Sequence, residues 1–418
     1  MSATFRQGCM GLPQELIDYI VDILHNDIST LKACSLTCKA MFASTRRLIH
    51  QGLCLPALEK LRILSRAKKS RPQGWDSSDA ELRVLSHMTE LGLLQYTRQI
   101  HINLDYYSTL YTVPPHLHHL QFLNLKRVHT LSIGEYRATV WDKHFKTLST
   151  HFHSTVTSLT LTRSTGRCRH ILQFALQFPM LQDLCVERVW CVNSGGNSAV
   201  PTITHESPHL RGHLRLVNVD IVAMGFAHEF PKGVNFRSVE LEEFSGDDAR
   251  HLLNMCARTL QSLTVVPRGS GRHRFSSLSP GTIEPLAHFL ATEYRAFHGL
   301  GFTEHTVLRR LTLRIAFLDV AISSSSPLLN VLSTITSPAF CEFIIELPPQ
   351  VNLRPAFHDP NGWEGIDQLC EERFATRKCF RLIIRTGRFY DQETFQRRTK
   401  ETFPLLASKG LIRFETFC

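Results

Sequence analysis

Short apolar segments recur along most of the chain at nearly regular intervals, and this repeat constrains the fold more than any other feature. Six strand-like segments centre on Leu159, Leu184, Leu214, Val239, Leu263 and Leu311, at intervals of 25, 30, 25, 24 and 48 residues. The last interval is twice 24, and an upstream copy centres on Leu131, 28 residues before Leu159. Periods of about 20 to 30 residues are typical of solenoids, in which each repeat buries its apolar face by stacking on the next.

Helix-like stretches lie between these segments, at residues 169–178, 247–258, 284–297 and 327–335. Because strands and helices alternate, we predict a parallel sheet. The L-x-x-L-x-L cores are typical of leucine-rich repeats, but the Asn or Cys that usually closes the strand turn is mostly missing, and a loop at residues 269–281 replaces one expected strand. The predicted fold class is therefore α/β, with an irregular leucine-rich-repeat-like solenoid.

The flanks of the repeat region also contain predicted elements. We expect a helix at residues 79–88 and a strand at residues 99–104 before it. The C-terminal stretch predicts a strand at 379–385, a helix at 394–408 and a strand at 411–417. The last strand would cap the open edge of the sheet, which otherwise invites aggregation.

The first 50 residues have a different pattern, that of three short helices. Pro13 suits the first helical position, and Glu15 places a negative charge at the positive end of the helix dipole. Ser29 and Thr37 are the candidate N-caps of the second and third helices. At 100° per residue, the apolar side chains of the first helix cover an arc of roughly 160°, with Asp18 and Asp22 on the opposite side. This arc contains Leu16, Ile17, Ile20, Val21, Ile23 and Leu24.

That apolar arc is wider than one neighbouring helix covers. A segment of about 40 residues normally cannot bury enough of its own surface to be stable. Burial of six such side chains would contribute on the order of 10 kcal/mol as an upper bound. We therefore predict a docking module that packs on the rest of the chain, on a partner, or on both.

The residues of this module resemble the F-box, especially as it occurs in large fungal families. The resemblance rests on Leu12-Pro13, Glu15-Leu16, Ile20, Leu24, Leu31, Ala33-Cys34-Ser35-Leu36, Cys38-Lys39 and Arg47. One departure is Met41, which stands next to Phe42 where many F-boxes have an aromatic residue. The resemblance implies docking on the Skp-type adaptor of a Skp–cullin–F-box ubiquitin ligase and, through it, on a cullin. The implied adaptor-binding residues are Leu12, Pro13, Glu15, Leu16, Ile20, Leu24, Leu31, Cys34 and Leu36.

These patterns predict the following division of the chain. Residues 1–10 form a flexible N-terminus, residues 11–50 the three-helix F-box, and residues 51–90 a basic helical linker. Residues 91–418 form the repeat domain, with a C-terminal cap from about residue 375. In this interpretation the repeat domain binds an unknown target protein.

The net charge of +10 arises from 47 basic and 37 acidic residues, and it raises the question of nucleic-acid binding. Basic residues cluster at 60–71, 268–274 and 377–400, but aromatic residues that could stack on bases are not interleaved with them. A solvated face, or a nuclear targeting signal in the first cluster, explains them better. With no apolar run of membrane-spanning length, no signal peptide and scattered cysteines, we expect a cytoplasmic or nuclear protein with free thiols and no membrane partner.

The sequence offers little sign of catalysis, so we predict no enzyme activity, cofactor or metal. His205-Glu206-Ser207-Pro208-His209 satisfies H-E-x-x-H, but Pro208 would break the helix on which a zinc site depends. His116, His118 and His119 are more typical of a polar loop. No phosphate-binding loop or nucleophile elbow occurs, although a distributed catalytic site stays open. A repeat scaffold without a ligase and a basic nucleic-acid-binding protein also stay open as functions.

Overall fold

The computed structural model describes residues 13–25, 27–37, 39–55, 87–103, 125, 127–134, 148–163, 165–166, 174–191, 210–217, 234–242, 244, 246–266, 300–314, 327–347, 360–377, 379–386 and 392–416. The chain divides into two compact units. The first unit is Met1–Ser164 with Gln177–Met180, and the second is Thr165–Leu176 with Leu181–Cys418. This division falls inside the predicted repeat domain, rather than between a helical module and the repeats.

The first unit begins with three helices, as predicted: α1 (Gln14–Ile23), α2 (Ile28–Thr37) and α3 (Lys39–Ile49). Pro13 precedes α1 as its N-cap residue, one position before the predicted one. The predicted N-caps of the other helices are wrong. Asp27 caps α2, because its Oδ1 atom accepts the Thr30 backbone N–H at 3.0 Å. Thr37 is the last residue of α2, where its hydroxyl donates to the Cys34 carbonyl at 2.7 Å.

A parallel sheet follows these helices directly. Its strands among the described residues of this unit are β1 (Gly52–Leu55), β2 (Gln99–Asn103), β3 (Thr130–Gly134) and β4 (Ser158–Thr162). Ile100 pairs with Leu131, and Leu131 with Leu159, so the predicted repeat positions stand in register. Strand β1 begins three residues after the end of α3 and lies inside the segment predicted as a helical linker. Of the predicted helix at 79–88, only the last two residues lie in the described part of the chain.

The second unit continues the same pattern of parallel strands. A separate short pair is formed by β5 (Thr165–Gly166) and β7 (Trp190–Cys191). The main strands described in this unit are β6 (Asp183–Glu187), β8 (Arg211–Val217), β9 (Asn235–Glu242), β10 (Ser262–Val266), β11 (Arg310–Arg314), β12 (Glu342–Leu347), β13 (Arg381–Thr386) and β14 (Ile412–Thr416). Each pairs in parallel with the next. The predicted α/β class and parallel sheet are therefore confirmed.

The register of these strands follows the predicted repeat positions. Leu184 pairs with Leu214, Leu214 with Val239, and Val239 with Leu263. Leu263 pairs in turn with Leu311, so β10 lies directly beside β11 and the expected strand between them is missing from the sheet. The loop predicted at 269–281 and the helix predicted at 284–297 lie outside the described residues.

Five helices of the second unit lie in the described part of the chain: α4 (Gly246–Met255), α5 (Pro327–Ser333), α6 (Pro360–Phe374), α7 (Gln392–Thr402) and α8 (Pro404–Ser408). Helices α4 and α5 match the predictions for 247–258 and 327–335, while the candidate cap Ser245 lies outside the described residues. The single helix predicted at 394–408 is wrong, since Pro404 begins a second helix. Of the helix predicted at 169–178, the described part contains only the short helical turn at Phe174 and Ala175.

The core lies between the sheet and these helices. Leu311 and Leu313 of β11 line a small apolar cavity together with Leu328 and Val331 of α5. At the C-terminal end, Phe395 of α7 packs on Phe414 of β14, with ring centroids 5.9 Å apart. Because strand residues alternate between faces, the neighbouring positions lie on the face of the sheet away from the helices. None of the described helices is long and apolar enough to cross a membrane.

Candidate docking surface on the N-terminal helices

The polar side of α1 is bound to α3. Asp22 accepts a hydrogen bond from the Arg47 guanidinium at 2.9 Å, and Asp18 accepts from the Ser44 hydroxyl. Hydrogen bonds from Ser44 and Gln14 lower the pKa of the Asp18 carboxyl below its ordinary value. These contacts join the polar side of α1 to α3.

Two residues of the apolar arc of α1 are buried against the other helices. Ile17 and Val21 are 3% and 0% exposed, and they pack with Leu31 of α2, which is 0% exposed. Partly buried apolar residues surround this cluster: Leu24, Ala40, Met41, Leu48 and Ile49. The three helices therefore have a small core of their own.

Three other residues of the arc are exposed, together with Tyr19 beside them. Leu16 is 48% exposed, Tyr19 65%, Ile20 38% and Ile23 62%. With 100° per residue, these four side chains cover an arc of roughly 100° along two turns of one helix face. We call these four residues the α1 ridge. Scattered exposed apolar residues are normal on a protein surface, but four adjacent ones on one helix face indicate an interaction surface.

Further exposed apolar residues lie on the other two helices. Ile28 and Leu36 of α2 are 43% and 87% exposed, and Phe42 of α3 is 39% exposed. The Arg46 guanidinium lies over the Phe42 ring, 3.9 Å from its centroid, and a cation–π contact of this kind holds the ring in place. Phe42 thus extends the apolar surface of the three helices and contacts Arg46.

The start of α2 is fixed by a dense set of hydrogen bonds to Asp27. Its carboxylate accepts the Ser29 hydroxyl at 2.5 Å, the Thr30 hydroxyl at 2.6 Å and the Thr30 backbone N–H at 3.0 Å. Hydrogen bonds from Ser29 and Thr30 lower the pKa of Asp27 to about 2. The carboxylate is therefore charged at neutral pH, as suits the positive end of a helix dipole.

The predicted adaptor-binding residues fall into three groups. Pro13, Glu15, Leu16, Ile20 and Leu36 are exposed. Leu24 and Cys34 are partly buried, and Leu31 lies in the core, where it supports α2 and has no surface for a direct contact. Leu12 lies outside the described residues.

Tyr19, Ile28 and Phe42 were not predicted from the sequence as surface residues, and Ile23 was placed in the apolar arc without a binding role. Helical spacing contained the signal for two of them. Tyr19 lies three residues after Leu16 and Ile23 three after Ile20, which places all four on one face. The exposure of Ile28 and Phe42 depends on how the three helices pack, which spacing alone does not determine.

No group of three or more metal-ligating side chains occurs among the described residues. The candidate zinc motif at 205–209 and the histidines at 116–119 lie outside them. The small cavity in the second unit is lined by apolar side chains, so it offers no polar group to orient a substrate.

No family model matches this chain, and no curated protein matches it. Its fold and surface define it as an α/β protein with parallel strands in solenoid-like order. Three N-terminal helices precede these strands and present an exposed apolar ridge.

Proposed function

We propose that this protein is the substrate-recognition subunit of a Skp–cullin–F-box type ubiquitin ligase. In this proposal α1, α2 and α3 form an F-box that docks on a Skp-type adaptor and, through it, on a cullin. The parallel-strand repeats hold a target protein of unknown identity. In this role the protein would act in the cytoplasm or the nucleus.

The observation that carries the proposal is the exposure of the α1 ridge. Full burial of a Leu or Ile side chain contributes about 1.5 to 3 kcal/mol, so covering Leu16, Ile20 and Ile23 would contribute several kcal/mol to binding. The same helix uses its opposite side to pack on α3, through Asp22 and Arg47. The ridge can therefore be covered by a partner without disturbing the core of the three helices.

The chain needs no nucleophile of its own for this function. A receptor that binds both the ligase and a target raises the effective concentration of the target's lysines near the transferring enzyme. A rigid parallel sheet suits this positioning role, because a target bound to it is held in a fixed orientation.

A non-ligase repeat scaffold is the second candidate, and one observation favours it. The chain passes from α3 into β1 within three residues, and α3 packs on the 3₁₀ turn Leu93–Tyr96. The helices thus adjoin the repeats of their own unit, as expected of an end cap. In that case the α1 ridge would bind another copy or another protein, and no adaptor.

A co-purification experiment distinguishes the two candidates. The full chain and a variant with Leu16→Asp and Ile20→Asp are each mixed with a purified Skp-type adaptor. The proposal expects the wild-type chain to retain the adaptor and the variant to lose it, because two buried charges at the interface would be unpaired. Both changes are at exposed positions, so circular dichroism and the unfolding temperature should change little.

The matched control is Met180→Asp, because Met180 is 53% exposed and lies outside the three N-terminal helices. This control should retain the adaptor. Retention by the double variant would reject the ridge as the docking surface. Failure of the wild-type chain to bind any Skp-type adaptor would reject the ligase proposal in favour of the scaffold.

A further inference from the structure

Two cysteines approach each other at the amino-terminal ends of β12 and β13. The side chains of Cys341 and Cys379 are hydrogen-bonded, and both thiols are free. The backbone fixes their proximity, because Cys341 directly precedes β12 and its carbonyl accepts the Arg381 N–H at 2.8 Å. Cys379 lies only two residues before Arg381.

The two thiols differ in exposure. Cys379 is exposed and Cys341 is partly buried. Burial raises the pKa of the Cys341 thiol, and the neighbouring Cys379 raises it further. An external reagent therefore reaches Cys379 more easily than Cys341, which is less accessible.

Each thiol also has a cationic neighbour. The Arg309 guanidinium acts electrostatically on Cys341, and Arg377 interacts in the same way with Cys379. Arg377 is held in place, because its Nη1 atom donates to the Ser337 carbonyl at 2.6 Å and its guanidinium lies 4.9 Å from the centroid of the Phe374 ring. The two cations lie beside partly exposed thiols, where they can attract a small anionic reagent.

We propose that Cys379 and Cys341 form a redox-active pair that a small anionic disulfide, such as glutathione disulfide, oxidises to an intramolecular disulfide. Cys379 is the attacking thiol and Cys341 is the resolving thiol. Arg309 and Arg377 attract the carboxylates of the reagent. This inference concerns the second unit and does not depend on the proposed ligase function.

The reaction proceeds by two thiol–disulfide exchanges. The Cys379 thiolate attacks one sulfur of glutathione disulfide, so a Cys379–glutathione bond forms, the original S–S bond breaks, and one glutathione leaves and takes up a proton. Cys341 then loses its proton and attacks the Cys379 sulfur, which releases the second glutathione as a thiol. The protein loses two electrons and two protons, and the reagent gains them as two molecules of glutathione.

The test treats the purified full chain with glutathione disulfide, blocks the remaining thiols by alkylation, and maps the modified peptides by mass spectrometry. The wild-type chain should give a peptide in which Cys341 and Cys379 are cross-linked. Cys370, which is buried in α6, serves as the internal control and should be alkylated only after unfolding. Burial also raises the pKa of the Cys370 thiol, so this control should not exchange in the folded protein.

Three variants separate the roles. Cys341→Ser should accumulate one glutathione on Cys379, because the resolving thiol is missing. Cys379→Ser should leave Cys341 reduced.

Arg309→Gln should slow closure of the disulfide about two- to fivefold, the effect of one partly screened charge. Arg237→Gln, an exposed arginine at β9, is the matched control and should react at the wild-type rate.

Three outcomes would overturn the proposal. In the first, Cys341 of the oxidised wild-type chain remains open to alkylation. In the second, glutathione stays on Cys379 equally in the wild type and in Cys341→Ser. In the third, Cys379 is joined to a different cysteine or to a second chain.

Discussion

Arg314 on β11 extends across β10 to reach Glu240 on β9, where its Nη1 atom lies 3.0 Å from the Glu240 Oε1 atom. The Nε atom of the same guanidinium donates to Glu346 on β12 at 2.8 Å. Arg385 on β13 repeats the arrangement, between Glu346 at 3.1 Å and Glu415 on β14 at 2.8 Å. Opposite charges thus alternate across the sheet face that points away from the helices.

We call this set the charge ladder: Arg215, Glu240, Glu242, Arg314, Glu346, Arg385 and Glu415. Burial alone would lower the pKa of Arg314, but hydrogen bonds and attraction from Glu346 and Glu240 outweigh it and raise the pKa. The pKa of Arg385 is raised in the same way by Glu415 and Glu346. These positive charges are compensated by carboxylates within the sheet.

Loss of Glu240 should weaken the second unit. Glu240 is only 15% exposed and lies between Arg215 at 3.4 Å and Arg314 at 3.0 Å. We expect Glu240→Gln to reduce the free energy of unfolding by about 1 to 2 kcal/mol, more than an exposed pair but less than a fully buried one. Urea unfolding followed by circular dichroism measures the change. The control Arg413→Gln, at a side chain 67% exposed, should cost at most about 0.5 kcal/mol, and equal losses would contradict the ladder.

Gly212 is required at the irregularity between β8 and β9. Its φ is +100°, and a Cβ atom there would lie 2.2 Å from the Gln182 carbonyl oxygen. The register shifts at this point, so that Gly212 pairs with Phe236 and His213 with Ser238. Gly212→Ala should cost about 1 to 3 kcal/mol or more of stability. Gly301→Ala, which has open space around its Cβ position, should change the unfolding temperature little; a similar loss there would mean that general glycine effects explain the result.

Asp367 joins α6 to α8. Its carboxylate accepts the backbone N–H of Leu405 at 2.8 Å and of Leu406 at 3.1 Å, and the residue is 1% exposed. Asp367→Ala would leave two N–H groups without an acceptor and should cost about 2 to 4 kcal/mol. Limited proteolysis should then cut within residues 392–416 at lower protease concentration. The neighbouring exposed change Gln368→Ala should leave cleavage unchanged, and unchanged cleavage in Asp367→Ala would contradict this role.

His305 should make stability depend on pH. It is buried, its Nε2 atom lies 3.0 Å from the Leu253 carbonyl oxygen, and burial lowers its pKa below 6.5. Below pH 6.5 the unfolded chain binds a proton at His305 more readily than the folded chain does. The contribution of neutral His305 to the free energy of unfolding is full above pH 6.5 and is lost as the pH falls. The unfolding temperature of His305→Gln should therefore fall less than that of the wild type between about pH 7.5 and about pH 5.5. The exposed change His251→Gln is the control and should retain the wild-type slope, and parallel slopes for His305→Gln would reject the prediction.

The repeat period predicted the strand register well, because each repeat contributes one strand that pairs with the strand of the next repeat. Leu263 and Leu311 were matched by spacing, and they pair in the structure. Strand β12 and helix α6 were not predicted, since Phe343 lies 32 residues after Leu311 and Leu382 a further 39, outside the 24 to 30 residue period. Where the connections between strands are long, the spacing in the sequence no longer shows the repeat, although the strands still pair in register.

The candidate docking surface was only half predictable from sequence. Helical spacing gave the width of the apolar arc on α1, but it could not tell which half is buried. Long-range packing decides this, since Ile17 and Val21 are buried against Leu31 of α2. Burial of Leu31 likewise depends on the packing of α2 against α1, which a pattern within α2 does not contain.

Hydrogen–deuterium exchange of the full chain, with and without a purified Skp-type adaptor, tests the central proposal most directly. Adaptor binding at the α1 ridge should slow amide exchange in residues 14–37, with no change in the strands of the second unit. The variant with Leu16→Asp and Ile20→Asp should lose this protection while its other peptides exchange as in the wild type. Unchanged exchange in residues 14–37 of the wild-type chain at saturating adaptor, or protection confined to residues 300–416, would contradict the account.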